Sequence, residues 1–490
     1  MPAVAGASVH SAMMGHGAMI GSVAMAASPC EPTDCASGVA KGTIADVAAY
    51  VRPGSALDRE ARIRGNSVYF PDRVVPMLPE RISNDLCSLR EKQDRPALAC
   101  FMSFDMSGRK TSHRFERVVM RSMAKLSYEE AQAAIDGRLN DKTEMLLEPV
   151  LKPLWQAYGV LGKGRNARAP LELDLPERKL VLDAHGLIER VVTPLRLDAH
   201  KLIEEFMIQA NVCAAEELEA KKTPLLYRIH QPPTEEKLRA LAEFLRTVDI
   251  AFPLGHVMRP KHFNKLLDDV QGKDYQTLVN EVVLRTQTQA AYSPENKGHF
   301  GLALHRYAHF TSPIRRYADL IVHRALVTAL GFGEDGLSGD DMARLKDTAD
   351  MISDAERRAM AAERETIDRL IASHLAKQTG AIFHGRIGGV VSAGLFVTLN
   401  ESGAGGFVPV STLGAGYFVY DKTRHALIGE RSGETYQLGD PVEVRLVEAT
   451  PVSGGMRFEI VSGGRGGKPL PRRAVRISRQ TPKPARHKKR

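Results

Sequence analysis

The chain runs to 490 residues, 43% of them hydrophobic and 26% charged. That is enough apolar material for two or three packed domains, and it excludes a disulfide-stapled mini-protein, a collagen-like chain and a wholly unfolded one. The formal net charge is +9, yet residues 463–490 hold 11 of the 67 Lys and Arg and none of the 58 acids. The body is therefore near neutral, while the tail reads as a contact for RNA, DNA or an anionic membrane surface.

Five scattered cysteines, Cys30, Cys35, Cys87, Cys100 and Cys213, fit a reducing compartment better than a disulfide framework. No stretch approaches the roughly 18 apolar residues of a membrane helix. The first forty residues contain no Lys or Arg, so the basic start of a signal peptide is missing. A soluble, cytoplasmic protein is expected, with no membrane contact and no oligomer.

In chain order, residues 1–43 are rich in Ala, Gly, Ser and Met, show no period of 2 or 3.6, and are expected to be an unstructured leader. Their His, Met and Cys residues match no metal-ligand spacing. From Ile44 the texture is globular. Between Glu172 and Val192 an alternating run with a His-Gly turn predicts a hairpin. After a cap at Asp198, Ile203, Phe206, Met207, Ala210 and Ala214 recur on one helical face. Pro233-Thr234-Glu235-Glu236 opens another helix above Leu238, Leu241, Leu245 and Val248. A third is expected from about Ile352 to Lys377. Residues 380–462 hold five short β-type runs between Gly-rich turns, the pattern of a small closed OB-type barrel. The remaining tail is Gly, Pro and basic residues, too polar to fold alone.

The segment with the most chemistry is 299–326, HFGLALHRYAHFTSPIRRYADLIVHRAL. Basic and aromatic side chains interleave, and Ser312-Pro313 is expected to start a helix. Arg315 and Arg316 then lie near a helix N-terminus, where guanidinium forks suit phosphate oxygens and Tyr317 suits a stacked base.

This segment resembles the signature of the RNB catalytic domain of the ribonuclease II and ribonuclease R family. IADVAAYVRPGSALDREARIRGNSVYFPDRVVPMLPERISNDLCSLR, Ile44 to Arg90, and LIEEFMIQANVCAAEEL, Leu202 to Leu218, resemble other parts of the same domain. The barrel then corresponds to the OB-type RNA-binding domain that follows it, and the basic tail to the ribonuclease R branch. The resemblance implies an α+β RNB domain over 44–378, the OB-type domain over 379–462 and a disordered basic tail over 463–490. It implies hydrolytic, Mg²⁺-dependent 3′→5′ degradation of RNA from single-stranded 3′ ends to nucleoside 5′-monophosphates. By the same resemblance Tyr69 packs on the terminal nucleotides, Arg315, with Arg316, lies at the scissile phosphate, and Glu363 lines the site. Phe383, Phe396 and Phe407 are expected to stack RNA on the barrel, and Arg472, Arg473, Lys488 and Lys489 to take phosphates.

The chain departs from the family in one respect. An aspartate run resembling D-x-x-D-A-x-D-x-D-D-A precedes the ADV element in the family. Here that element is Ala45-Asp46-Val47, and the 44 residues before Ala45 contain a single aspartate, Asp34. Mg²⁺ requires several hard oxygen ligands, and no set of ligands is found; Asp46, Asp58 and Asp72 read as turn and strand-end residues. The domain is expected to start inside its own fold, as a truncated or frame-shifted reading frame does, with open strand edges. The alternative function is an RNA-binding remnant or paralogue without turnover.

Overall fold

Long strands with alternating burial build the first sheet. The computed structural model describes residues 4–9, 23–28 and 37–466, apart from 174–177, 256, 274, 415 and 423. β1 (Val4–Val9), β2 (Val23–Ser28), β3 (Ser37–Ala45), β4 (Asp94–Asp105) and β5 (Lys110–Leu126) close in that order into a barrel. Neighbours are antiparallel except at the parallel β1–β5 seam. Along β5, Val118, Met120, Ala124 and Leu126 are buried while Val119, Arg121 and Met123 face out, the period of a half-covered strand.

The expectation of an unstructured leader over 1–43 is corrected, since β1, β2 and most of β3 fall there. β3 and β5 would otherwise each present a row of unpaired N–H and C=O groups; β2 pairs with β3 and β1 with β5, so the open edges expected at the start of the domain are absent. A run of Ala, Gly and Ser has little β preference of its own, and its pairing partners decide the conformation.

Four helices organise the site: α1 (Ala56–Arg64), α2 (Asp198–Ala220), α3 (Tyr317–Leu330) and α4 (Leu345–Leu375). α2 matches expectation, with Ile203, Phe206, Ala210 and Ala214 buried; Asp198 is its first helical residue, and Leu197 the cap. α3 is buried on all sides from Tyr317 to Val327, as a helix threaded through a core must be. The hairpin forms from Lys179–Leu182 and Ile188–Val192. The helix after Thr234 runs Glu235–Arg246, and the Thr234 hydroxyl accepts from the Lys237 N–H.

The second barrel contains the five expected strands: β6 (Ile382–Val391), β7 (Gly394–Leu399), β8 (Gly405–Pro409), β9 (Pro441–Thr450) and β10 (Gly455–Ile460), in the order β6-β7-β8-β10-β9. A three-stranded sheet between β8 and β9 (Phe418–Asp421, Ala426–Gly429, Thr435–Gln437) was not expected; its strands are too short for a period to register. The barrel shares a core with the preceding helices: Phe244, Leu245, Phe263, Val279 and Val283 pack with Val397, Val408, Val444 and Phe458. No helix among the described residues is long and apolar enough to cross a membrane.

Candidate nucleic-acid interface

The site begins with a backbone seam. After α1 the chain turns at Gly65, whose φ of +72° caps the helix. A Cβ there would stand 2.7 Å from that of Ala355 on α4, so both conformation and space require glycine. Residues 65–67 then run beside 315–317: the Tyr317 N–H donates to the Gly65 carbonyl at 2.9 Å and the Ser67 N–H to the Arg315 carbonyl at 3.0 Å. Two residues on, Tyr69 pairs with Val74 in a minimal hairpin, and its N–H donates to Glu363 Oε1 on α4 at 2.7 Å. The Arg315 guanidinium lies near the Tyr69 hydroxyl and draws its pKa down against the rise that burial causes. Three residues spread over the chain thus meet at one partly buried point.

The helix starts later than expected. Ser312-Pro313 opens a turn in which the Arg315 and Arg316 N–H groups both donate to the Ser312 carbonyl, and α3 begins at Tyr317 with Arg316 extended before it. Asp319 in the first turn accepts the Ser312 N–H at 2.7 Å and holds Arg316 through Nε at 2.7 Å and Nη2 at 2.8 Å. Arg316 therefore braces the loop as half of a bidentate pair. The expected RNA contact at Tyr317 is corrected: its ring is 1% exposed and its hydroxyl donates to Asp58 at 2.8 Å, leaving no face for a base.

Beside this loop Arg228 makes a bidentate pair with Glu356, at 2.6 and 3.0 Å, and lies 4.7 Å over the Tyr292 ring. The Tyr292 hydroxyl is 2.9 Å from His309 Nδ1. Asn211 on α2 takes the Phe310 N–H at 2.7 Å and donates to the Tyr307 hydroxyl at 2.9 Å. Of the three arginines, Arg228 and Arg316 are matched by carboxylates; Arg315 has none in ion-pair range among the described residues. Burial, then Arg316, depresses its pKa, as desolvation of a cation beside a like charge does. Burial also raises Glu363, against the Tyr69 N–H.

Sequence reasoning missed Arg228, Glu356, Asn211 and the buried pair of Asp58 and Arg324. The Asp58 carboxylate accepts from Arg324 Nη2 and the Tyr317 hydroxyl, both at 2.8 Å, and from the Gly54 N–H at 2.9 Å; the reading of Asp58 as a turn residue is corrected. Asn211, polar inside an apolar helical run, was the one available signal.

On the second barrel Phe396 and Phe407 face each other across β7 and β8, ring centres 5.2 Å apart, with Phe396 51% exposed. Phe383 does not join them: it packs against the shared core. Arg472, Arg473, Lys488 and Lys489 lie outside the described residues.

The described residues do not fit a Mg²⁺ centre. Asp46 is 1% exposed, and its carboxylate is taken by Arg117 Nε at 2.6 Å and the Ala49 N–H at 3.2 Å. Among the described residues no three His, Cys, Asp or Glu side chains converge as metal ligands.

Histidines give the site a pH dependence. His230, His299, His309 and His323 are all held below the usual imidazole range, chiefly by burial, His299 down to about 3. They are neutral in the native state, while the unfolded chain takes up protons below about pH 6.5. Their contribution is therefore complete above that pH and lost as pH falls toward the native values. Unfolding free energies from urea titrations are expected to be flat near pH 8 and to fall below about pH 6.5, by a few kcal/mol at pH 5. A flat free energy through that range contradicts neutral burial.

A closed barrel, an arginine loop before a buried helix and a second five-stranded barrel with paired aromatics give the chain a two-part architecture. Residues 42–331 match the RNB domain and 376–460 the S1 RNA binding domain, and the chain belongs to the RNB family. It is 42% identical over 420 residues to ribonuclease R of Aquifex aeolicus and 40% identical over 450 residues to that of Escherichia coli, covering 85% and 90% of this chain. It spans 59% and 55% of those relatives' length. Ribonuclease R of Mycoplasma genitalium in complex with ribose methylated single-stranded RNA superposes with a TM-score of 0.86 at 28% identity, over 93% of this chain and 70% of that one.

Proposed function

We propose that this chain acts on single-stranded 3′ ends of RNA as a ribonuclease R-type 3′→5′ exoribonuclease, releasing nucleoside 5′-monophosphates. The observation that carries this reading is Arg315, a partly buried guanidinium without a carboxylate partner among the described residues, near Tyr69, whose N–H donates to Glu363, in a family whose named relatives are ribonucleases. The Phe396–Phe407 pair supports a path for the strand across the second barrel. The cysteine usage supports a cytoplasmic setting.

A second reading, RNA binding without turnover, is favoured by the commitment of Asp46 to Arg117 and by the lack of convergent carboxylates among the described residues. The family's hydrolysis implies a divalent metal, and the described residues supply the substrate-binding side. One assay separates the readings: 5′-labelled single-stranded RNA is incubated with the chain in Mg²⁺ or EDTA and resolved by length. Shortening from the 3′ end in Mg²⁺ alone supports the exonuclease; an intact band with a gel shift supports binding alone; neither result leaves the site without a role.

Two further variants test the path of the strand. Phe396→Ala is expected to weaken RNA binding by about 1–3 kcal/mol with little change in salt dependence. Deleting residues 463–490 is expected to weaken it and flatten the slope of affinity against salt, since up to 11 cations are removed. Filter binding across a salt series reads both, and equal slopes before and after the deletion contradict a phosphate role for the tail.

A further inference from the structure

The run from Tyr307 to Ser312 leads into the arginine loop with no helix or strand of its own, yet Tyr307, Ala308, Phe310, Thr311 and Ser312 are buried. Buried backbone without regular structure needs side chains to take its hydrogen bonds. Here they come from two helices. Asn211 on α2 accepts the Phe310 N–H at 2.7 Å, and His323 on α3 lies with Nε2 2.7 Å from the Phe310 carbonyl. A carbonyl only accepts, so Nε2 carries the ring hydrogen; Nδ1 is buried and has no partner among the described residues. The Phe310 ring is fixed as well, stacked on His323 with centres 4.7 Å apart and edge-on to Phe115 of β5 at 5.4 Å. Asn211 also donates to the Tyr307 hydroxyl at 2.9 Å, so one amide fixes two points of the run. Two residues beyond Phe310, Asp319 takes the Ser312 N–H, and the Ser312 carbonyl in turn accepts the Arg315 N–H at 3.2 Å.

We propose that Asn211 and His323 are positioning residues: by clamping Phe310 they set where the following turn holds the Arg315 guanidinium, and so how well the site grips a phosphate of single-stranded RNA. The proposal rests on the reading of Arg315 as the phosphate contact. It adds two side chains that are themselves out of a ligand's reach, Asn211 at 2% exposure and His323 fully buried. Both act through the backbone, from Phe310 to Arg315 five positions on. A leucine in place of Asn211 fills much the same space, but it leaves the Phe310 N–H and the Tyr307 hydroxyl unpaired where water does not reach, and the run has to shift to satisfy them. A shift of about 1 Å is enough to spoil a contact that depends on two parallel N–H···O bonds.

The test is a double-variant cycle on the full chain, read as gel-shift affinity for 5′-labelled single-stranded RNA, with thermal unfolding to confirm that each variant is folded. Asn211→Leu is expected to weaken binding by about three- to tenfold, part of the loss that removing the guanidinium causes. In an Arg315→Ala background the same change is expected to cost less than about twofold, since no guanidinium is left to misplace. Equal losses in the two backgrounds overturn the proposal and leave the reading of Arg315 in place; so does an Asn211→Leu chain that binds as the parent does. Arg315→Ala binding as tightly as the parent removes the reading and the proposal together. His323→Gln keeps an N–H donor near the place of Nε2 and is expected to bind within about twofold of the parent, whereas His323→Leu is expected to follow Asn211→Leu. The ring-nitrogen NMR spectrum of the parent chain labelled with ¹⁵N-histidine needs no destabilised variant. His323, assigned as the signal missing from His323→Gln, is expected as the Nε2–H tautomer; the Nδ1–H tautomer frees the Phe310 carbonyl and overturns the clamp.

Discussion

Arg315→Ala is expected to leave the fold intact and to remove most of the chain's hold on a 3′-terminal phosphate. Its guanidinium lies near the Tyr69 hydroxyl and has no acid in ion-pair range among the described residues, so truncation strands no buried carboxylate. A charge-assisted contact to phosphate contributes about 1.5–3 kcal/mol, which corresponds to roughly ten- to a hundred-fold in affinity. If the chain turns over RNA, loss of a donor aimed at developing charge costs about 10²–10³ in rate. Arg315→Lys keeps the charge without the fork and is expected to recover only part of either loss. Tyr69→Phe, which leaves the ring and removes the hydroxyl near Arg315, is expected to cost less than Arg315→Ala. Gel-shift affinities with thermal unfolding as a control decide the matter: a folded Arg315→Ala chain that binds and turns over RNA normally sinks the assignment. Arg316→Ala predicts the opposite balance, because it leaves Asp319, fully buried, without its partner.

Asp58→Ala carries the largest expected stability loss. Its carboxylate accepts three hydrogen bonds, from Gly54, Tyr317 and Arg324, and Arg324 is fully buried. Removing one partner of a buried ion pair costs about 3–5 kcal/mol, because the other charge stays desolvated. Against a total of about 5–15 kcal/mol for a typical domain, that is enough to unfold much of the population. Urea unfolding of the variant, compared with Arg324→Met and the double variant, measures the coupling. The double variant is expected to be more stable than Asp58→Ala, since methionine fills the space without a charge; losses that simply add contradict the pairing.

The second barrel was legible because each strand is a short alternating run closed by glycine, and all five appear within a few residues of their expected positions. The same local pattern could not separate one tyrosine from another in the 299–326 segment. Tyr317 and Tyr307 both follow basic residues, and which rings are enclosed depends on α1 and α2, distant in sequence. The three-residue spacing from Arg316 to Asp319 is compatible with pairing, but nothing local distinguishes a braced arginine from one left to meet a ligand. Asp58 and Arg324 lie 266 positions apart, beyond any periodicity. The assignment of Tyr69, Arg315 and Glu363 came from the family resemblance, and the structure adds the seam at Gly65 that brings them together. The leader illustrates the converse: Ala- and Gly-rich runs carry almost no strand signal, yet the unpaired edges of β3 and β5 accept them as partners.

The hydrogen bond between the Tyr69 N–H and Glu363 links residues 294 positions apart, and this has a consequence for biosynthesis. Contacts of such separation form late, after the intervening chain has been made and the cost of closing the loop has been met. While a ribosome is still translating the stretch before α4, Tyr69 and Arg315 can already be joined through the Gly65 seam, but the carboxylate against which the hairpin is set does not yet exist. The growing polypeptide therefore cannot complete this three-residue arrangement until Glu363 on α4 has been made. Completion of the arrangement coincides with emergence of α4, ahead of the second barrel, whose first strand begins at Ile382.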